Sequence, residues 1–376
     1  MSERVSVIVI GGSHAGPAIS QKLVRQTPRA AITLINPSDE YYFNNAAPRF
    51  LVKPESLPPS KYLYPIPEAF REYPAGAFTF SVSVFLSADS ISTIAASFVF
   101  DYLVIASGST TPATLGQAGV RLPFKATAFE DTRKAIYRGH ETLKTAKRIV
   151  IGGAGPLGVE LAGNWRKLQD RRRLRWCLGQ VCCWRGPPSL FREQLYRLYG
   201  GRIRGVRSPN QTWKVKLSTG QICTADAYIA TTGTIPNNQF IPKSCLNPQG
   251  WVNVDERLRV VEDSVSRTET YAVGDITCHP YRLLSRVSLQ GETVASNIAT
   301  AIERRARVAT YSVEVQKKMM VVPVGQSTGT GHLGGWTLFG CLVWFFKGKD
   351  LFDSRGTEVL ARPDAVILLD SVSVLI

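Results

Sequence analysis

Mostly apolar runs, glycine-rich turns and amphipathic stretches alternate through the first part of the chain. "VSVIVI" at 5–10 has strand length; "GGSHAG" follows, then a stretch whose apolar positions Ile19, Leu23 and Val24 share one helical face. A second run, "AAITLIN" at 30–36, completes a strand, turn, helix, strand opening. The pattern recurs at 148–163 as "RIVIGGAGPLGVELAG", with Leu157, Leu161, Trp165 and Leu168 at helical spacing. Three more runs end in small residues and glycine: "DYLVIASGS" at 101–109, "ADAYIATTGTIPN" at 225–237 and "TETYAVGDIT" at 268–277. Such alternation predicts an α/β fold built on parallel sheets.

The turns carry the candidate chemistry. Gly11 and Gly16 hold the outer places of a G-x-G-x-x-G turn, Gly12 lies between, and Ser13 replaces the middle glycine. Backbone amides there must come close to a pyrophosphate at a helix N-terminus, whose dipole also favours anions, so small residues are required. Asn36 stands where an acidic residue ordinarily accepts hydrogen bonds from ribose hydroxyls, and can do so without charge. The second turn, Gly153, Gly155 and Gly158, is complete. Gly108 closes a small-residue turn of the kind by which a chain crosses between nucleotide domains. Gly274 lets backbone approach a cofactor, and Asp275 can accept a hydrogen bond from a ribityl hydroxyl. One glycine motif is weak; two copies followed by strand ends in this order are specific in combination.

The chain resembles the two-dinucleotide-domain flavoproteins, and within them the apoptosis-inducing-factor-like and ferroptosis-suppressor-like NAD(P)H oxidoreductases, cousins of type II NADH dehydrogenases. The resemblance spans about residues 4–163 and 212–353 and rests on "VIVIGGSHAG", "INPSDEYYFNNAAPR", "LPFK", "DYLVIASGS", "IGGAGPLGVELAG", "YAVGDIT" and "GGWTLFGCLVWFFKGKDLF". It implies two Rossmann-like domains, a discontinuous FAD domain (1–120 and 249–325) and an inserted NAD(P)H domain (121–248), plus a small C-terminal acceptor or interface region (326–376). By position it places Gly11, Ser13, Gly16, Asn36, Arg49 and Asp275 against FAD, and Gly153, Gly155 and Gly158 against the nicotinamide nucleotide. It also implies Lys125 near the flavin ring, where a cation would favour the reduced, anionic form, and Glu160 and Lys347 at the flavin and acceptor site. The plainer alternatives are a solvated loop lysine, a first-turn helix glutamate helping the dipole, and a lysine flanking an apolar segment.

Length and composition fit this picture. A chain of 376 residues, 44% hydrophobic and 20% charged, accommodates two domains. Its start shows no cleavable signal, so the expected location is cytoplasmic, with membrane association or mitochondria as alternatives. The apolar run at 332–346 is shorter than the ~18–20 residues that span a bilayer. It reads either as core or, over 333–349, as a quinone- or membrane-facing surface. Seven cysteines with no Cys-x-x-Cys argue against a disulfide framework, a zinc cluster and a dithiol relay. Four scattered histidines offer no metal set, and His14, His279 and His332 read as incidental.

Charge changes one part of the picture. Between Trp165 and Arg207 stand twelve Lys or Arg against Asp170 and Glu193, so this segment holds +10 of the chain's +16. Residues 164–207 lack the apolar strand expected after a nucleotide-loop helix. Their Arg, Trp, Cys and Gly content resembles an out-of-frame exon, a diverged but folded segment, or a basic patch. Regular patterning resumes at "WKVKLSTG". The patch has no groove-binding pattern, so nucleic acid is not an expected partner. The reading is thus an FAD-dependent oxidoreductase moving electrons from NAD(P)H to a quinone or other small acceptor. The alternatives are a flavin-binding signalling or cell-death protein with little turnover, and a biosynthetic flavin-dependent oxidoreductase or monooxygenase. The sequence leaves oligomeric state open.

Overall fold

A computed structural model describes residues 4–82, 99–127, 131–153, 155–165, 204–207, 212–216, 222–280, 282–312, 319–325, 328–333, 336–338 and 340–344. Its centre is a six-stranded sheet in the order Arg259–Glu262, Val265–Ala272, Tyr102–Ile105, Val5–Ile10, Ala30–Asn36, Phe78–Val82. All neighbours in it run parallel except the antiparallel edge pair Arg259–Glu262 and Val265–Ala272. Val7, Val9, Leu34 and Val104 are fully buried, as inner strands covered on both faces require.

The Ala15–Gln26 helix returns from the first strand to the second and buries Ile19 and Leu23, the face marked by the sequence, while Val24 packs partly buried beside them. It lies against the 19-residue Leu284–Ile302 helix, where Val294, Ala295 and Ile298 are buried. A second parallel unit pairs Ile149–Gly152 with Ala227–Ala230 and continues into the Pro156–Trp165 helix. The two units meet where Ile235–Pro236 pairs antiparallel with Ser109–Thr110. The α/β class is therefore as expected.

Two features depart from the sequence pattern. Arg204–Arg207 is already a strand, paired antiparallel with Trp213–Lys216, so regular structure resumes ahead of Trp213. "RGVR" has little β-propensity of its own; its neighbour across the hairpin fixes it. Further on, Met319–Val324, Thr328–Leu333 and Trp336–Leu338 form an antiparallel sheet. The first of these strands lies against the Pro156–Trp165 helix, so closely that a Cβ on Gly163 would come within 2.6 Å of the Gly325 backbone nitrogen.

Candidate active site

Both glycine turns are closed by the same packing. A Cβ on Gly16 would lie 1.8 Å from the Gly11 carbonyl oxygen, and one on Gly158 would lie 2.1 Å from the Gly153 carbonyl oxygen. Each helix thus starts with its backbone pressed onto the preceding turn, as a turn that brings helix N–H groups to a phosphate demands. Gly11 and Gly153 take φ of +116° and +126°, strained values for any L side chain. Next to each turn lies the end of a parallel neighbour: Ala106 at the first, and at the second Thr231, whose hydroxyl donates to the Gly152 carbonyl at 3.1 Å. Among the described residues nothing approaches a Cβ built on Gly155 within 4 Å, so they leave that face of the second turn open.

The first turn opens into a cleft of about 260 Å³. Gly11, Gly12, Ser13, Asn36, Gly108, Lys125, Gly274 and Asp275 all line it. These eight come from segments spread between residues 11 and 275, gathered by the strand ends of the central sheet. Such a crevice at the carboxyl ends of parallel strands is where open α/β sheets take ligands. Gly108, with φ +66°, has no atom of the described residues within 4 Å of an added Cβ, so they leave the wall open there.

Asn36 ties the cleft together. Its Oδ1 accepts from the Gly12 amide at 2.7 Å and its Nδ2 donates to the Ser38 carbonyl at 2.6 Å, which locks the turn to the second strand. Asp275 Oδ2 accepts from Ser109 Oγ at 2.8 Å and from Lys125 Nζ at 3.1 Å. Burial pushes the Asp275 carboxyl up, but the Lys125 charge, the Ser109 hydrogen bond and Arg282 outweigh it and hold it below its ordinary value. The loop before Lys125 is pinned from below: Tyr42 Oη donates to the Pro123 carbonyl at 2.7 Å, and Asn44 Nδ2 to the Phe124 carbonyl at 3.1 Å.

His14, read as incidental from sequence, is built into this wall. Its Nε2 meets Asn44 Oδ1 at 3.0 Å and its Nδ1 meets Tyr41 Oη at 2.6 Å. Asn44 uses its amide NH₂ on Phe124, so Nε2–H donates to Asn44 and Nδ1 accepts from tyrosine: the neutral imidazole. Burial lowers its pKa to about 4; the Asn44 hydrogen bond opposes this, and Lys125 reinforces it.

Other sequence candidates lie elsewhere. Gly16 is buried behind the turn. Arg49 is buried in the Ala47–Phe50 helix and is not among the cleft's lining residues. Glu160 is buried in the Pro156–Trp165 helix with the second turn, also away from the cleft. Lys347 and most of the 164–207 segment lie outside the described residues. Sequence reasoning missed Arg282, Tyr41, Asn44 and Ser109. Of these only Ser109, within "IASGS", stands in a motif that marks a crossing, and "EYYFNN" carries resemblance alone. Among the described residues no group of His, Cys, Asp or Glu could hold a metal ion, and no helix is long and apolar enough to cross a membrane.

A parallel-sheet fold with two phosphate-type turns and a lined crevice defines a dinucleotide-dependent oxidoreductase class. The chain belongs to the pyridine nucleotide-disulphide oxidoreductase family, whose model matches residues 5–313. It is 27% identical to the oxidoreductase ptaL of Pestalotiopsis fici over 371 residues, covering 92% of this chain and 96% of that protein. It is 26% identical to the FAD-dependent oxidoreductase FVFD30 of Flammulina velutipes, covering 67% of this chain and 79% of that one. In fold it resembles the sulfide:quinone oxidoreductase of Aquifex aeolicus, with a TM-score of 0.68 at 14% identity, over 95% of this chain and 91% of that structure. The protein is an enzyme, an oxidoreductase of this family.

Proposed function

We propose that the enzyme binds FAD in the cleft and NAD(P)H at the second glycine turn, and passes electrons to a quinone or other small acceptor. The observation that carries this is the repeated close packing of Gly16 on Gly11 and Gly158 on Gly153, two pyrophosphate-type turns in one chain. The residues present fit the groups: both turns are cradles that a Cβ would fill, and Asp275 Oδ1 has no protein partner among the described residues. Bound FAD would supply hydride acceptance and onward electron transfer. This chain's own residues hold and orient: Asn36 fixes the phosphate turn, Asp275 and Ser109 tie the strand ends together, and Tyr42 and Asn44 set the loop that carries Lys125.

The domain reading is supported by a central sheet that draws strands from 5–105 and from 259–272, with the second turn's unit between them in sequence. A disulphide acceptor is disfavoured, despite the family's description, because the sequence contains no Cys-x-x-Cys. A quinone is favoured by fold likeness to a sulfide:quinone oxidoreductase and by the aromatic run at 333–349, a candidate quinone- or membrane-facing surface. That pattern is also the one shared with apoptosis-inducing-factor-like enzymes. The test is stopped-flow mixing of purified, flavin-loaded protein with NADH or NADPH, then with a soluble quinone or glutathione disulphide. Bleaching of the flavin band by nucleotide and its return with quinone are expected. Return only with the disulphide would sink the acceptor assignment.

A further inference from the structure

Three cations and two carboxylates line the cleft among the described residues: Arg121, Lys125 and Arg282, with Glu40 and Asp275. Both carboxylates already have cationic partners, Glu40 with Arg133 at 2.5 Å and Asp275 with Lys125 at 3.1 Å. Arg121 turns its Nε to the Thr114 carbonyl at 3.2 Å. Arg282 differs. Its Nε donates to the main-chain carbonyl of Asp275 at 3.3 Å, its guanidinium carbon lies 3.5 Å from the centre of the Trp251 ring, and no described carboxylate forms an ion pair with it.

The stack fixes the guanidinium plane, and the Nε contact fixes its rotation. The terminal NH₂ groups have no hydrogen-bond partner among the described residues. A planar fork held this way loses little conformational entropy on meeting a planar oxyanion, and partial burial strengthens the attraction. Lys125, by contrast, meets any ligand as half of a near-neutral pair.

We propose that Arg282, carried on Trp251, is the anion-binding group of the cleft and takes a planar oxyanion. Two sources share that chemistry: the ring system of the cofactor itself, and the carboxylate of a small acid acting as substrate, for which benzoate serves as the probe. The inference rests on the FAD reading above.

The experiment uses flavin-loaded wild type, Arg282→Gln, Arg282→Lys and Trp251→Leu. Flavin content is measured first, then the midpoint potential of the bound flavin, then benzoate affinity from its perturbation of the flavin spectrum. Arg282→Gln is expected to keep its flavin and to weaken benzoate about tenfold or more, with Arg282→Lys partly restoring binding because it keeps charge but loses the fork. Trp251→Leu is expected to fall between them. Weakened benzoate with an unchanged potential assigns the site to an acidic ligand. A lowered potential with unchanged benzoate affinity assigns it to the cofactor ring. Flavin-replete Arg282→Gln with both quantities unchanged overturns the inference while leaving the FAD reading standing. Wild-type protein that cannot be loaded with flavin overturns both.

Discussion

Lys125 Nζ lies 3.1 Å from Asp275 Oδ2, joining two residues 150 positions apart at the crevice where the central sheet's strands end. Family resemblance alone makes Lys125 a cation beside a flavin. The structure gives it a partner whose side chain is only 15% exposed, so the two act as one unit. The same Asp275 oxygen accepts from Ser109, which binds the strand-end turn to the pair.

Asp275→Asn should therefore destabilise the protein by about 1–3 kcal/mol at neutral pH, since it leaves Lys125 half-buried without its charge partner. The native Asp275 pKa lies below the ordinary 3.8, so its contribution is present above that value and is lost as pH falls through the lower, folded one. Urea unfolding at pH 7, 5 and 3.5 checks this. The gap between wild type and variant should narrow only at the most acid point; a gap that stays constant across the series would contradict the linkage.

His14 gives a slope in a different window. Its pKa falls from 6.5 to about 4 on folding, so the unfolded chain binds the extra proton between those values and stability rises with pH across them. His14→Gln should remove about 3 kcal/mol of that dependence while keeping a side chain able to reach Asn44. Denaturation midpoints from pH 4.5 to 7.5 should slope in wild type and run flatter in the variant. Parallel slopes would mean the imidazole titrates as it does in solution.

The two glycine turns can be broken separately. Gly16→Ala puts a Cβ 1.8 Å from the Gly11 carbonyl, and Gly158→Ala puts one 2.1 Å from that of Gly153. Each costs about 1–3 kcal/mol or more in local strain. Under the proposed function the first should purify colourless, and the second should stay yellow but take up NADH and NADPH at least tenfold more weakly. Flavin retention in Gly16→Ala, read at 450 nm, would misplace the cofactor turn.

What the sequence disclosed and what it hid divide by range. Glycine spacing is local, so Gly11, Gly16, Gly153 and Gly158 could be read directly, as could apolar strands such as Val5–Ile10 and Tyr102–Ile105. The groups that shape the cleft chemistry meet only through the fold: Lys125 with Asp275, Arg282 with Trp251, His14 with Tyr41 and Asn44. No periodicity marks them. Arg49, matched by position alone, is buried in a short helix and is not among the residues that line the crevice. Arg204–Arg207 was illegible for a third reason, since its pairing comes from a neighbouring strand and not from its own residues.

The nucleotide turn at Gly153–Gly158 leads through Trp165 into the arginine-rich stretch, and this sets the last expectation. In a nucleotide-binding unit the strand after this helix ends beside the adenosine ribose and reads its hydroxyls or phosphate. The sequence from 166 to 203 offers no apolar run able to serve as that strand, and it lies outside the described residues. Each unmade buried hydrogen bond to ribose is worth about 1–3 kcal/mol, so affinity should fall by about one to two decades. The intact turn should still hold the pyrophosphate, because no described residue crowds its face at Gly155. Isothermal titration of the chain as written should then show weak binding with no preference between NADH and NADPH. A version carrying an apolar strand re-read from another frame of this segment should recover both affinity and preference. Micromolar, selective binding by the unmodified chain would show instead that the arginine-rich stretch builds a working ribose site.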